Sequence, residues 1–224
     1  MPLLSVRDAG RRIPDRWLWR DLSFEVAEGE RVSVSGPSGS GKSLLLRAMV
    51  GLDDLDEGAI AVDGRDLAEW DLPELRMRVR YLPQVPAFAE GTVREALAAP
   101  LSFGAARPPA DGWIEQRLAT LGRGEAFLDA RTETLSGGER QIAALLRAMQ
   151  TGPYVLLLDE ATASLDPDAT EAAEALISEW LDEDGSRAVV WTSHSRDQRT
   201  RVTDRTVDLG DYARLGAEAG EVEA

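Results

Sequence analysis

Cysteine is absent from this chain of 224 residues, lysine and histidine occur once each, and long apolar runs are missing. Without cysteine there is no disulfide and no thiolate zinc site, a composition at home in a reducing cytoplasm. No window reaches the ~18 consecutive apolar residues expected of a spanning helix. The opening Met1-Pro2-Leu3-Leu4-Ser5-Val6-Arg7-Asp8 lacks the charged lead and apolar stretch of a signal peptide. Net positive charge is missing as well, the balance being -15 at neutral pH. A surface of that sign repels a phosphate backbone and anionic headgroups alike, so neither nucleic acid nor bare lipid is an expected partner. The length suffices for one large core, or for a core with a small appended subdomain.

The one lysine, Lys42, closes the run Gly36-Pro37-Ser38-Gly39-Ser40-Gly41-Lys42-Ser43, while every other basic side chain is arginine. A compact ammonium on a flexible stem fits a tight anion-binding loop, where a planar guanidinium would crowd it. In the pattern G-x-x-x-x-G-K-[ST] the glycines let successive N–H groups turn inward around phosphate oxygens. Lysine reaches the β- and γ-phosphates, and the Ser43 hydroxyl is placed to ligate Mg²⁺. Arg31–Ser35 reads as the strand before this loop, and Leu44–Val50 as the helix after it. The candidate nucleotide-binding set therefore runs from Gly36 through Leu44.

Downstream, Tyr154-Val155-Leu156-Leu157-Leu158 is a continuous apolar run, as expected of a strand buried on both faces. It ends in Asp159-Glu160, where open α/β sheets place ligand-binding groups. Asp159 is a candidate for holding Mg²⁺ through its water shell and Glu160 for polarising an attacking water. Taken alone, the pair also reads as a solvated strand end.

Leu135-Ser136-Gly137-Gly138-Glu139 combines a capping box, Ser136 with Glu139, and two glycines in the first helical turn. Glycine costs a helix about 1 kcal/mol relative to alanine, and the expected return is access of an anion to bare N–H groups. Ser136, Gly137 and Gly138 are thus a second candidate phosphate site. The only histidine, His194, follows the apolar run Ala188–Thr192.

Leu3–Arg7, Leu22–Val26, Arg31–Ser35, Ala59–Val62 and Val79–Leu82 are strand candidates, with a short helix at Asp71–Arg78. The pattern is helical from Gly91 to Met149, broken by the loop Ala105–Gly112. Further strands are expected at Tyr154–Leu158, Ala188–Thr192 and Thr206–Leu209, separated by helices, the mark of a parallel sheet. The expected division is one domain over residues 1–210. Residues 1–90 and 151–210 form the core with a β-subdomain, 91–150 a helical subdomain, and 211–224 a frayed tail.

The set Gly36–Ser43, Gln84, Leu135–Gln141, Leu156–Glu160, Ser164-Leu165-Asp166 and His194 resembles, in order and spacing, the ATP-binding-cassette (ABC) ATPases. The resemblance covers nearly the whole chain, and Leu-Ser-Gly-Gly-Glu separates this family from other P-loop ATPases. It implies an α/β P-loop NTPase (RecA-like) core with an antiparallel β-subdomain and an inserted helical subdomain. It also implies two copies sandwiching two ATP molecules with Mg²⁺, each site pairing one copy's Lys42 loop with the other's Ser136–Gly138. By the family pattern Gln84 senses Mg²⁺ and the partner, Asp166 lies in the loop crossing the dimer, and His194 contacts the γ-phosphate. Glu160, His194, Lys42 and Gln84 are then the catalytic set, and Ser43, Gln84 and Asp159 the metal set.

There are departures from the family pattern. Leu44 follows Ser43 where many members have threonine, Ala161 replaces a common proline, and Ile142 stands where many carry a second arginine. Ile13 aligns near the usual adenine-stacking aromatic, with Trp17 and Trp19 close by. The resemblance favours an energy-coupling subunit docked on a separate transmembrane permease, hence cytoplasmic and peripheral on the membrane. Members working on DNA or ribosomes carry two cassettes, long insertions or basic surfaces, and a module without turnover would lack Glu160 or His194. The segment Pro86–Leu97 is similar to exporter-like members, most of all the FetA-type stand-alone ATPases associated with iron export. A lipoprotein- or peptide-exporting assembly is the alternative.

Overall fold

The computed structural model describes residues 1–14, 16–103 and 109–213. Two sheets organise it. The first is antiparallel, in the order β2-β1-β4-β5, formed by β1 (Leu4–Ile13), β2 (Arg16–Val26), β4 (Glu57–Val62) and the short β5 (Arg65–Asp66). The second is parallel, in the order β6-β7-β8-β3-β9, formed by β3 (Arg31–Ser35), β6 (Val79–Leu82), β7 (Val155–Asp159), β8 (Ala188–Thr192) and β9 (Arg205–Asp208).

The apolar run in β7 is explained by two cores. Val155 and Leu157 face one core together with Ala188 and Val190, while Leu156 and Leu158 face another together with Val189 and Trp191. Successive side chains of a strand point to opposite faces, so a central strand covered on both sides is apolar at every position. The first core lies against the antiparallel sheet and helix α1 (Lys42–Ala48). The second lies against the segment that carries α3 (Val93–Ala98), α4 (Trp113–Thr120) and α5 (Gly137–Met149), closed by α6 (Pro167–Asp182). Between them in sequence lies α2 (Leu72–Arg78), with Pro73 in its first turn where a missing N–H is tolerated. The last helix described by name, α7 (Arg196–Val202), follows β8.

Parallel order puts one edge of the sheet to use. Val34 pairs with Thr192, and Thr192 with Asp159, so β3, β8 and β7 end at the same level. The loops that follow them, together with Gln84 beyond β6, meet at that edge. Three differences from the sequence reading stand out. Strands β1 and β2 are longer than expected because they pair along most of their length, with register shifts that the local pattern does not betray. Within 91–149 the helical pattern is interrupted outside the expected loop as well, by 3-10 turns such as Glu125–Asp129 and Thr132–Thr134. Residues 209–213 are helical and Tyr212 packs against the first core, so a helix extends into the first three positions of the tail expected from 211. Residues 105–108 of the expected loop at 105–112, and 214–224 of the tail, lie outside the described residues.

Candidate nucleotide site

The loop between β3 and α1 closes around Lys42. Its Nζ donates to the carbonyls of Gly36 at 3.0 Å and Pro37 at 3.2 Å, and the residue is only 7% exposed. Among the described residues no carboxylate pairs with it, so its charge is met only by backbone dipoles. The Ser40 hydroxyl is buried and has no hydrogen-bond partner. An uncompensated buried cation beside an orphaned hydroxyl is the chemistry of a site made for an anion, and it fits a nucleotide phosphate. Gly41 has φ 89°, and a Cβ there would stand 2.8 Å from Nε1 of Trp19. Trp19 is fully buried beneath the loop and sets its height.

Across the sheet edge, Asp159 is 3% exposed and accepts from two hydroxyls, Tyr81 at 2.9 Å and Thr192 at 2.9 Å. Burial, and then the neighbouring Asp159, push the Tyr81 phenol well above its ordinary range, so it remains a proton donor to the carboxylate. Glu160 sits at φ 51°, a left-handed conformation that costs a non-glycine residue about 1–2 kcal/mol. Its N–H is anchored on Thr192, to the hydroxyl at 3.0 Å and the carbonyl at 3.2 Å. The side chain is held from both sides: Gln84 Nε2 donates to one oxygen at 2.7 Å, and His194 Nε2 lies 2.6 Å from the other.

Lys42, Gln84, Glu160 and His194 line a cleft of about 500 Å³ whose walls also include Ile13, Leu18, Ser38, Ser43 and Leu44. Ile13 lines this cleft and is 38% exposed. The tryptophans do not take that place. Trp17 lies between the guanidinium groups of Arg20 and Arg12, and Trp19 is in the core. Among the described residues no three histidine, cysteine or acidic side chains cluster to hold a metal. A divalent ion here would rely on the Ser43 hydroxyl, Asp159 and Gln84, with phosphate oxygens completing the set.

Ser136, Gly137, Gly138 and Asp166 are not in the cleft. Ser136 caps α5, its Oγ accepting from Glu139 N at 3.2 Å while Glu139 accepts from Ser136 N at 3.0 Å. Gly138 has a second use beyond the expected anion access: a Cβ there would meet the Ser164 carbonyl at 3.0 Å. Asp166 caps α6, accepting from Ala169 N at 2.9 Å. One copy thus brings together Gly36–Leu44, Gln84, Asp159, Glu160 and His194, and leaves the second phosphate candidate elsewhere. Sequence reasoning missed Tyr81 and Thr192, whose local patterns are those of ordinary strand residues, and named Trp19 near the base position rather than against Gly41.

Residues 19–163 match the family model described as ABC transporter. The chain belongs to that family. Among its relatives, Protein STAR1 of Oryza sativa subsp. japonica is 36% identical over 91% of this chain, which spans 59% of the rice protein. The probable iron export ATP-binding protein FetA of Escherichia coli is 29% identical over 95% of this chain and 93% of its own length. A dimeric post-hydrolysis structure of the ATP-binding cassette MJ0796, bound to ADP and Pi, superimposes with a TM-score of 0.77. It is 26% identical over 92% of this chain and 93% of that one. The P-loop NTPase fold, the use of ATP with Mg²⁺ and ATP hydrolysis follow for this ABC ATPase.

Proposed function

We propose that this ABC ATPase drives a membrane transporter, two copies closing around two MgATP while docked on a separate permease. The observation that carries the reading is Glu160, held between Gln84 and His194 at the mouth of the Lys42 cleft. Bound there, ATP supplies a phosphoanhydride to be cleaved and a charge to be neutralised. Lys42 would exchange its two carbonyl partners for phosphate oxygens, and Ser43, Gln84 and Asp159 would hold Mg²⁺, which would screen the phosphate charge. Glu160 Oε1 takes the proton of a water once His194 turns from it, and His194 Nε2 then donates toward the terminal phosphate position. Gln84 keeps Glu160 aimed and reports its state along the loop Val85–Gly91. Ser136–Gly138 do not line the cleft of their own copy, which supports a site that the other copy's Ser136–Gly138 complete in the pair.

Among the described residues no helix is long and apolar enough to cross a membrane, so attachment to the bilayer is assigned to the permease. Iron export is the finer reading, supported by the match to FetA along nearly the full length of both chains. Other relatives are named for sulfate/thiosulfate and methionine import, so cargo choice is assigned to the permease rather than to this subunit. Metal efflux from cells co-expressing the chain with the neighbouring permease tests the cargo. For the site itself, Lys42→Ala abolishes tight MgATP binding in a nucleotide titration. Glu160→Gln retains binding and slows hydrolysis by about 10²–10⁴-fold. Parental turnover in Glu160→Gln would remove Glu160 as the base.

A further inference from the structure

His194 is held by little of its own: its side chain is 61% exposed, and a hollow of about 280 Å³ lies against it. Its position is therefore set through its backbone. Behind it, the buried amide of Gln198 on α7 joins three segments. Nε2 donates to Thr162 Oγ1 at 2.8 Å and to Glu174 Oε1 at 2.7 Å, while Oε1 accepts from Ser193 Oγ at 2.6 Å. Ser193 Oγ also accepts from the N–H of Ser195 at 3.1 Å, so both neighbours of His194 are tied to one side chain. Thr162 lies two positions beyond Glu160 in sequence.

The direction of this network is determined by its far end. Arg201 grips Glu174 with Nε at 2.8 Å and Nη2 at 2.8 Å, and Glu174 presents only acceptors to Gln198. The NH₂ end of the amide must face Glu174, so the carbonyl end faces Ser193. Ser193 then gives its proton to Gln198 and keeps a lone pair for Ser195. Glu171 and Asp197 are the other charges near Arg201.

We propose that Gln198 is a positioning residue, orienting the His194 and Glu160 backbones for their 2.6 Å contact, with Glu174 and Arg201 deciding which way its amide points. The inference rests on the catalytic reading of Glu160 and His194. It concerns α7, which contributes no residue to the walls of the Lys42 cleft.

The test compares the full chain with Gln198→Leu, Gln198→Glu, the exchange Gln198→Glu with Glu174→Gln, and His194→Ala. Turnover, KM and MgATP affinity are followed across pH, with thermal unfolding alongside. Gln198→Leu lowers kcat roughly tenfold or more and leaves MgATP affinity near parental, since misplacement of the reacting groups is felt in turnover. Gln198→Glu sets two carboxylates against each other, so its turnover falls progressively as pH rises and the proton they share is lost. The exchange restores one donor facing one acceptor, and with it the parental pH profile. Parental kcat in Gln198→Leu, or losses that only follow melting temperature in every variant, would overturn the inference. If His194→Ala is slow while the Gln198 variants are parental, the inference alone fails. Parental turnover in His194→Ala removes the catalytic reading and the inference with it.

Discussion

At the scale of single residues, the phosphate loop depends on a tryptophan as much as on its glycines. Trp19 has no exposure, and its Nε1 would stand 2.8 Å from a Cβ on residue 41, with Leu18 Cδ1 at 3.1 Å. A rigid indole buried in a packed core cannot step aside, and φ 89° is costly for alanine even with room. Gly41→Ala therefore destabilises the chain by about 1–3 kcal/mol and weakens MgATP binding by roughly tenfold or more. Thermal unfolding and a nucleotide titration check both, and parental values in either would show that the loop has slack beneath it. The left-handed Glu160 is the counterpart just beyond β7: three residues, Thr192, Gln84 and His194, hold a conformation that the chain alone would leave.

At the scale of elements, α5 links the second phosphate candidate to stability. Glu139 is held below the ordinary glutamate value of 4.5 by the Ser136 N–H, and then by the Ser136 hydroxyl. A carboxylate with a depressed folded value stabilises the fold above its unfolded value and loses that contribution as pH falls through the folded value. Unfolding temperature should therefore drop as the solution is acidified below about pH 4.5. Glu139→Gln keeps the shape of the capping box without the ionisable group, so its melting curve should depend less on pH in that window. An unchanged acid profile would mean that other carboxylates, such as Glu95 in the matching box of α3, carry the effect. The same helix reaches the Gln84 loop from its other end. Arg147 stacks on Phe88 at 4.2 Å and donates to the Ala87 carbonyl at 3.1 Å, so α5 and that loop are joined by two contacts.

At the scale of the whole molecule, charge opposes the pairing that the split site requires. Each copy carries -15, and two such surfaces repel across a Debye length of about 10 Å at 0.1 M salt. Glu160→Gln, if it retains nucleotide while slowing hydrolysis, should sediment as a monomer alone and as a dimer with MgATP. Raising ionic strength from about 0.05 M to 0.3 M should strengthen that dimer by screening. A species that stays monomeric at saturating nucleotide with the permease present would count against the shared site.

The sequence alone determined whatever is written in consecutive residues. The phosphate loop, the Asp159-Glu160 strand end, the capped glycine turn at Ser136 and the strands Arg31–Ser35, Val79–Leu82 and Ala188–Thr192 all have local causes, in turn residues, apolar runs and helix caps. Only the tertiary structure decided which of them share a cleft. Parallel pairing brings β6 and β8 to either side of β7, and that order joins Gln84, Glu160 and His194 across wide gaps in the chain. It also recruits Tyr81, Thr192 and Gln198, whose side chains carry no local sign of a role because their partners lie tens of residues away. Hydrophobic periodicity reports which face of a strand is buried, but hydrogen-bond partners depend on which strands become neighbours, and that is settled by packing of the whole chain.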